Sequence, residues 1–379
     1  MRARYPAARA RLLVISAAVA VAVTAMPMSA TGASAHAATV LYSFGGGSDG
    51  ANPQGPVVFD SAGNLYGTTT FGGSGDGTVY QLRPSGSGWT KTTLHTFTPA
   101  TGRLPQGPLA IDAQGNLYGT AYQGGAAGHG VVFRMSPRPD GTWTYRLLYS
   151  FTGGTDGGLP TGGVTVDASG NLYGTASRGG RYGQGVVFML SSDDSGGWTQ
   201  TVLHHFRADG VDGRHPGGRG ALVFDQSGNL YGVTIEGGSA NAGVVFQLSP
   251  SGTTWTETVL HHFAGGSDGA NPTGSLYLDA AGTIYGTTIE GGASGNGTVF
   301  RLTRSGATWT TSVIFDFPGG ANGHSPYAGV IADPAGNLYG TTSGGAFGVG
   351  GVVYQLSPSG GGWTQSVLHT FDGTGSYAA

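Results

Sequence analysis

The sequence contains no cysteine, so no disulfide braces the fold and buried apolar surface must hold it together. A chain of 379 residues is long enough to supply that surface. Lysine is almost as scarce, Lys91 being the single one, and charged residues make up only 10% of the whole. Without basic patches the chain is a poor partner for nucleic acid or for an anionic membrane surface. Helical periodicity over ten residues is missing. The pattern G-x-S-x-G occurs at Gly46–Gly50 and Gly265–Gly269, but no helical pattern follows either, so neither reads as a nucleophile elbow; a zinc-type His-Glu spacing and a phosphate-binding loop are missing, and the chemistries that need them are left without support. Membrane-length apolar runs are missing too. The one sustained apolar stretch, from Leu12 to about Ala25, is short for a span.

That stretch follows Arg2, Arg4, Arg9 and Arg11 and precedes Ala35-His36-Ala37, the order of a secretory signal with an A-x-A cleavage site. Residues 1–37 are therefore expected to be a signal peptide and the remaining chain to be secreted, an uncleaved anchor being the alternative. The segment carries four of the 17 basic residues and none of the 20 acidic ones, so residues 38–379 hold 13 against 20, a formal net charge of −7. No second apolar run and no C-terminal sorting helix are visible, and a monomer with no membrane span is expected.

What the sequence does have is repetition. Glycine occurs 75 times without a three-residue period. The useful period is near 54. "DSAGNLYGTTTFGG" at Asp60 returns at Asp112, Asp167, Asp225, Asp279 and Asp333, and one tryptophan follows in each unit: Trp89, Trp143, Trp198, Trp255, Trp309 and Trp363. Each unit reads as four short strands, typified by "GPVVFD", "NLYGTT", "GTVYQL" and "WTETVLHHF", rich in β-branched and aromatic residues and bounded by turn formers. Six such units predict an all-β fold, a six-bladed β-propeller of four-stranded antiparallel blades. Residues 38–379 are expected to form one domain with units near 45–97, 98–151, 152–206, 207–263, 264–317 and 318–371. In the "DxxGN" turn, Asp should bond the backbone, Gly supply a positive φ and Asn tolerate one. Tyrosine and tryptophan recur because blades pack through them. The fourth strand occurs a seventh time, as "VLYSF" at Val40–Phe44, and either this copy or "VLHTF" at Val367–Phe371 could complete the last blade.

The stretches "LYGTTTFGGSGDGTVYQL" (Leu65–Leu82) and "IYGTTIEGGASGNGTVFRL" (Ile284–Leu302) resemble the GloVer tandem-repeat family of exported bacterial proteins. The resemblance covers nearly all of residues 38–379. It implies export and a propeller-like repeat, and it implies no reaction. The family's commoner members carry a C-terminal surface anchor. None is visible here, which favours free release.

Any site is expected on the face bearing the longer, glycine-rich loops. The entering loops carry Asp49, Asp156, Asp212 and Asp268, replaced by Thr101 and Asn322 in the other units. A ring of Ca2+ ligands is one reading and an Asp-Gly turn ahead of proline the other, which Thr101 favours. At the His204 and His261 positions the aligned units place Tyr42, His95, Tyr149, Phe315 and His369, so a packing ring is expected rather than a ligand or base. Before each "GG" the residue varies: Phe71, Gln123, Arg178, Glu236, Glu290 and Ser343. The longest unit adds Arg207, Asp209, Arg214, His215 and Arg219 beside Arg178, Arg181 and Tyr182. These arginines, with Tyr182 and His215, form the candidate ligand site. Arginine clamps a carboxylate with a planar fork, so an acidic glycan is the natural ligand class. The plainer reading is a solvated insertion paired internally with Asp209 and Asp212. Glu236 and Glu290, with His215, are the candidate catalytic groups, Glu236 and Glu290 as a glycosidase-like carboxylate pair. Two copies of one loop residue is the simpler account of that pair. With no complete catalytic constellation, a binding or interaction module for carbohydrate or a cell-surface protein is favoured over a glycan hydrolase or lyase, and over a purely structural surface protein. Beyond the Ca2+ reading no cofactor is expected.

Overall fold

The computed structural model describes residues 19–22, 38–193, 195–345 and 350–371. Six four-stranded antiparallel blades follow one another along the chain and are arranged as a six-bladed β-propeller. The first blade consists of Val58–Phe59, Leu65–Thr69, Thr78–Ser85 and Gly88–Thr96, each strand paired with the next. Blades four and five gain one further short strand each, Gly213–Pro216 and Ala270–Pro272, formed by the loop that enters the blade. The expected signal segment lies outside the described residues except for Val19–Ala22, which pairs antiparallel with Thr39–Ser43.

The second strand is buried along its whole length in blades one to three, because it lies inside its own sheet and between neighbouring blades. In Leu65–Thr69 all five residues are buried. Its glycine is obligatory: a Cβ on Gly67 would lie 2.5 Å from the Tyr80 hydroxyl, since the ring of the opposite residue on the third strand covers it. Gly119, Gly174, Gly232, Gly286 and Gly340 are covered in the same way by Phe133, Phe188, Phe246, Phe300 and Tyr354.

Two aromatic contacts join successive blades. The motif tyrosine meets the tryptophan of the next blade, as in Tyr66–Trp143 at 5.5 Å and Tyr173–Trp255 at 6.1 Å. The last aromatic of each "VLHxF" inserts edge-on against the third-strand ring of the next blade, as in Phe151–Phe188 and Phe206–Phe246, both at 5.2 Å. The N-terminal copy obeys this rule: Phe44 meets Tyr80 at 4.9 Å, and with Leu41, Tyr42 and Trp89 it covers Leu65 and Leu82. The C-terminal copy lies in Gly362–Thr370, the fourth strand of blade six. Each copy therefore has its own place. The fourth strands also carry a bulge at the leucine or isoleucine of "VLHxF", for example between the pairs Tyr80–Thr93 and Val79–His95. The bulge breaks the simple alternation of faces just before the ring residue.

The "DxxGN" turns correct one sequence expectation. Asp60 accepts from the backbone N–H groups of Ala62 and Asn64, from the Asn64 side-chain amide and from the Tyr66 hydroxyl, at 2.7 to 2.9 Å. Gly63 supplies the positive φ of 84°, as expected, but Asn64 does not adopt one. Its place in the motif comes from its side chain, which ties down the second carboxylate oxygen. Tyrosine has two functions, packing with its ring and closing the turn with its hydroxyl.

Candidate functional site

The long-loop face is built from three residues per blade whose positions the repeat fixes. The entering loop lies antiparallel to the end of the second strand, through Ala51–Phe71, Arg103–Gln123, Gly158–Arg178, Arg214–Glu236 and Ala270–Glu290. The next residue precedes proline and adopts a left-handed conformation in all six blades: Asn52, Leu104, Leu159, His215, Asn271 and Ser325, with φ between 53° and 57°. A non-glycine residue there is costly, and the surrounding structure must hold it. One holder is a backbone bond to the preceding blade, as from His215 N–H to the Gln184 carbonyl at 3.0 Å.

At the seam between blades three and four this scaffold brings together four of the candidate residues. The Arg178 guanidinium lies 2.6 Å from His215 Nε2. His215 Nδ1 lies 3.4 Å from Glu236 Oε1, and Arg214 donates to Glu236 Oε2 at 2.9 Å and also to the Asn241 side chain. Burial and the Arg178 charge hold the His215 imidazole below its usual range, against the opposing pull of Glu236. A histidine so placed is neutral at pH 7. Its Nε2 accepts from the Arg178 guanidinium and its Nδ1 faces Glu236, so it orients Arg178 and can take up a proton only once Arg178 moves off Nε2.

The other candidates are distributed around this cluster. Arg207 stacks over the exposed ring of Tyr182, 5.4 Å from its centre. Arg181 is exposed, and its backbone N–H donates to His205 Nδ1. Arg219 lies elsewhere: a short insertion carries it over Tyr327 of blade six, at 5.3 Å. Among the described residues none of Arg178, Arg181, Arg207 and Arg219 has a carboxylate partner. The internal pairing of the insertion with acids therefore applies to Arg214, whose partner is Glu236 and neither Asp209 nor Asp212. Glu290 is exposed on the next blade, at the position that Glu236 holds on blade four. Asn241 was missed, because its meaning depends on a loop that folds back on Gly237.

The four aspartates do not form one ring. Each caps its own entering loop at a separate seam. The ring residue of the preceding fourth strand reaches this aspartate with its polar tip: Tyr42 to Asp49 at 2.7 Å, Tyr149 to Asp156 at 3.0 Å, His204 to Asp212 at 3.0 Å, and His261 to Asp268 at 3.0 Å. The packing expectation for these rings is met by edge-on contacts such as His204–Phe206 at 4.7 Å. It omitted the hydrogen bond. Where the ring is Phe315, the loop residue is Asn322, and where it is His95, the loop has Thr101.

A third residue, two positions after each tryptophan, completes the seam. Lys91 pairs with Asp49 at 3.0 Å. Gln200 donates to the Asp156 carbonyl at 2.8 Å, Gln365 to the Asn322 carbonyl at 2.9 Å, and Tyr145 to the Thr101 carbonyl. At the fourth seam the residue is Glu257. Burial and the Asp212 carboxylate push its carboxyl up to about 7. Its Oε1 is buried and has no hydrogen-bond partner.

Comparison with known proteins agrees with this architecture. A family model described as the Gloeobacter/Verrucomicrobia repeat matches residues 28–222 and 179–379. No curated protein matches the chain. Among solved structures, a putative 6-phosphogluconolactonase from Bacteroides uniformis is similar with 16% identity and a TM-score of 0.56, over 89% of this chain and 91% of that one. A polysaccharide lyase of family PL25, an ulvan lyase bound to a GlcA-Rha3S saccharide, aligns with 13% identity and a TM-score of 0.54, over 83% of both chains. An ancestral GH74 enzyme aligns with 13% identity and a TM-score of 0.54, over 82% of this chain and 42% of that one. At such identities the likeness is one of fold. No helix among the described residues is long and apolar enough to cross a membrane.

Proposed function

The chain belongs to the Gloeobacter/Verrucomicrobia repeat family, and from that premise we propose that it is an exported binding module that takes an acidic carbohydrate on its long-loop face, at the seam between blades three and four. The observation that carries this reading is the cluster of Arg178, His215, Arg214 and Glu236, flanked by Arg207 and the exposed Tyr182. Arg178 has no carboxylate partner among the described residues, and the guanidinium N–H groups not given to His215 are available for a uronate carboxylate. Tyr182, one ring face of which is covered by Arg207, can offer its other face to a sugar ring. Glu236 fixes Arg214 and His215 and supplies an acceptor for sugar hydroxyls. One fold neighbour is described as bound to a glucuronate-containing saccharide, but that likeness is one of fold, and the reading rests on this chain's own residues.

The test is calorimetric titration of the protein with uronate oligosaccharides and with neutral oligosaccharides of the same length. The uronate series should bind, more weakly as salt is raised, and Arg178→Ala should lower affinity by about tenfold or more, the weight of one charge-assisted contact. Equal binding of both series, or unchanged affinity in Arg178→Ala, would overturn the reading. If neither series binds, a purely structural surface protein becomes the better account.

A second reading is favoured by one feature: His215, depressed in basicity, stands between a cation and a carboxylate. If a bound uronate draws Arg178 off His215 Nε2, the freed nitrogen could take the proton on the carbon next to the sugar carboxylate while the glycosidic C–O bond breaks and its oxygen takes a proton from solvent, as a glycan lyase requires. Appearance of unsaturated sugar ends, lost in His215→Ala and with binding retained, would establish that reading.

A further inference from the structure

The six seams between blades follow one plan. A ring tip from the preceding fourth strand and a third residue from the next one converge on the entering-loop residue. In four of the six seams the third residue is a donor. It is Lys91, Tyr145, Gln200 or Gln365, and each gives a hydrogen to a loop oxygen. Thr311 holds the position at the fifth seam. At the fourth seam the third residue is Glu257, an acid, which can give a hydrogen only when its carboxyl is protonated. It meets a second carboxylate, Asp212, where Lys91 brings an ammonium to Asp49. The repeat therefore leaves an acid where its other seams place a donor or a cation.

Two further observations make this more than a pair of acids. Glu257 Oε1 is buried without a hydrogen-bond partner, which costs free energy unless something supplies positive charge. The imidazole of His204 is aimed at the same point, its Nε2 being 3.0 Å from Asp212 Oδ2. One ligand atom from each of His204, Asp212 and Glu257 lies within 4.8 Å of the others, and no other such group of three occurs among the described residues. Backbone contacts hold the set. Asp212 accepts from Gly213 N–H on one oxygen and from Arg207 N–H on the other, and His204 packs edge-on against Phe206.

We infer that His204, Asp212 and Glu257 form a binding site for a divalent transition-metal ion of the Zn2+ class, which at this seam takes the place that the Lys91 ammonium has at the first. The donor set decides the class. Carboxylates alone suit Ca2+ or Mg2+, whereas an imidazole nitrogen with two carboxylate oxygens suits Zn2+ and its neighbours. Three protein ligands leave one position of a tetrahedral ion for water or a ligand. The ion would join the fourth strand of blade three to that of blade four through the loop Phe206–Gly213, just ahead of Arg214 and His215 in the chain. This inference stands apart from the glycan reading, because none of its three ligands belongs to the proposed carbohydrate cluster.

The experiment uses tag-free protein stripped with EDTA and exchanged into chelator-free buffer. Zn2+, Ca2+ and Mg2+ are titrated separately, with heat of binding and melting temperature as readouts. The expected result is one Zn2+ per chain, a raised melting temperature with Zn2+, and little response to Ca2+ or Mg2+. Glu257→Gln keeps the side-chain shape and leaves the loop caps in place. It should weaken Zn2+ by at least about 100-fold, since even an outer-shell partner is worth about 10–100-fold. Glu257→Lys should abolish the Zn2+ response while melting no lower than metal-free wild type, because it restores the first seam's arrangement. Absence of stoichiometric Zn2+ binding, or full affinity in Glu257→Gln, would overturn the site. A response to Ca2+ equal to that to Zn2+ would overturn the class.

Discussion

The first and fourth seams are built on one frame and place residues of opposite charge at one position of it. At both, a ring tip meets an aspartate that caps the entering loop, beside an edge-on aromatic. At the first, Lys91 closes the arrangement, its side chain only 5% exposed. At the fourth, Glu257 adds a second carboxylate. The frame is a product of the repeat: second-strand glycine under a ring, bulged fourth strand, Asp-capped turn. The chemistry is a product of the single position that departs from it. The proposed glycan cluster obeys the same logic, since Arg178 and His215 stand where the other blades have residues of different character.

The largest effects should come from the aromatic beneath each seam. Phe206 is fully buried among Val244, Phe246 and Leu248, whereas Phe44 is only partly buried. Phe206→Ala should cost about 4 kcal/mol and Phe44→Ala about half of that, read from denaturant midpoints at unchanged slope. Equal costs would mean that the N-terminal copy is as integral as the internal ones. The charge comparison comes next. Lys91→Met leaves Asp49 without its cation and should cost about 2 kcal/mol, while Glu257→Met in metal-free protein should cost less than about 0.5 kcal/mol or stabilise. Were both to destabilise alike, the two seams would be equivalent and Glu257 would have a partner not seen here.

The frame was legible in the sequence and the departures only partly so. Six copies of one motif fix strand count and blade order, and recurrence of Tyr66 and Trp143 in every unit announces their mutual packing. Asn64 was misread because a turn motif does not say whether Asn contributes its backbone or its side chain. That distinction lies in the amide bond to Asp60, at 2.7 Å. Arg178, His215, Arg214 and Glu236 could be assigned to one face by aligning the units. Their mutual contacts could not, because they depend on how two loops of adjacent blades fold over one another. Glu257 was invisible as a partner of Asp212. Its meaning comes from its register two residues after Trp255 and from an entering loop, distant in the sequence, that brings Asp212 to that strand.

The second seam tests the frame most gently, because it has a histidine and no acid. His95 stacks on Tyr145 at 4.0 Å and has only the Thr101 hydroxyl, at 3.4 Å, where His204 and His261 reach an aspartate. Burial lowers its pKa to about 4, against 6.5 for the free side chain. Between those values the unfolded chain takes up a proton that the folded one refuses. Stability is therefore full above pH 6.5 and is lost as pH falls through that window. The ring is partly exposed and solvent screens the effect, so the loss should stay below about 1 kcal/mol at pH 5.5. His95→Phe, which copies Phe315 of the sixth seam, should flatten this part of the melting-temperature profile between pH 7 and 5. Parallel profiles for the two proteins would mean that His95 titrates freely, and that its stack on Tyr145 opens to admit the proton.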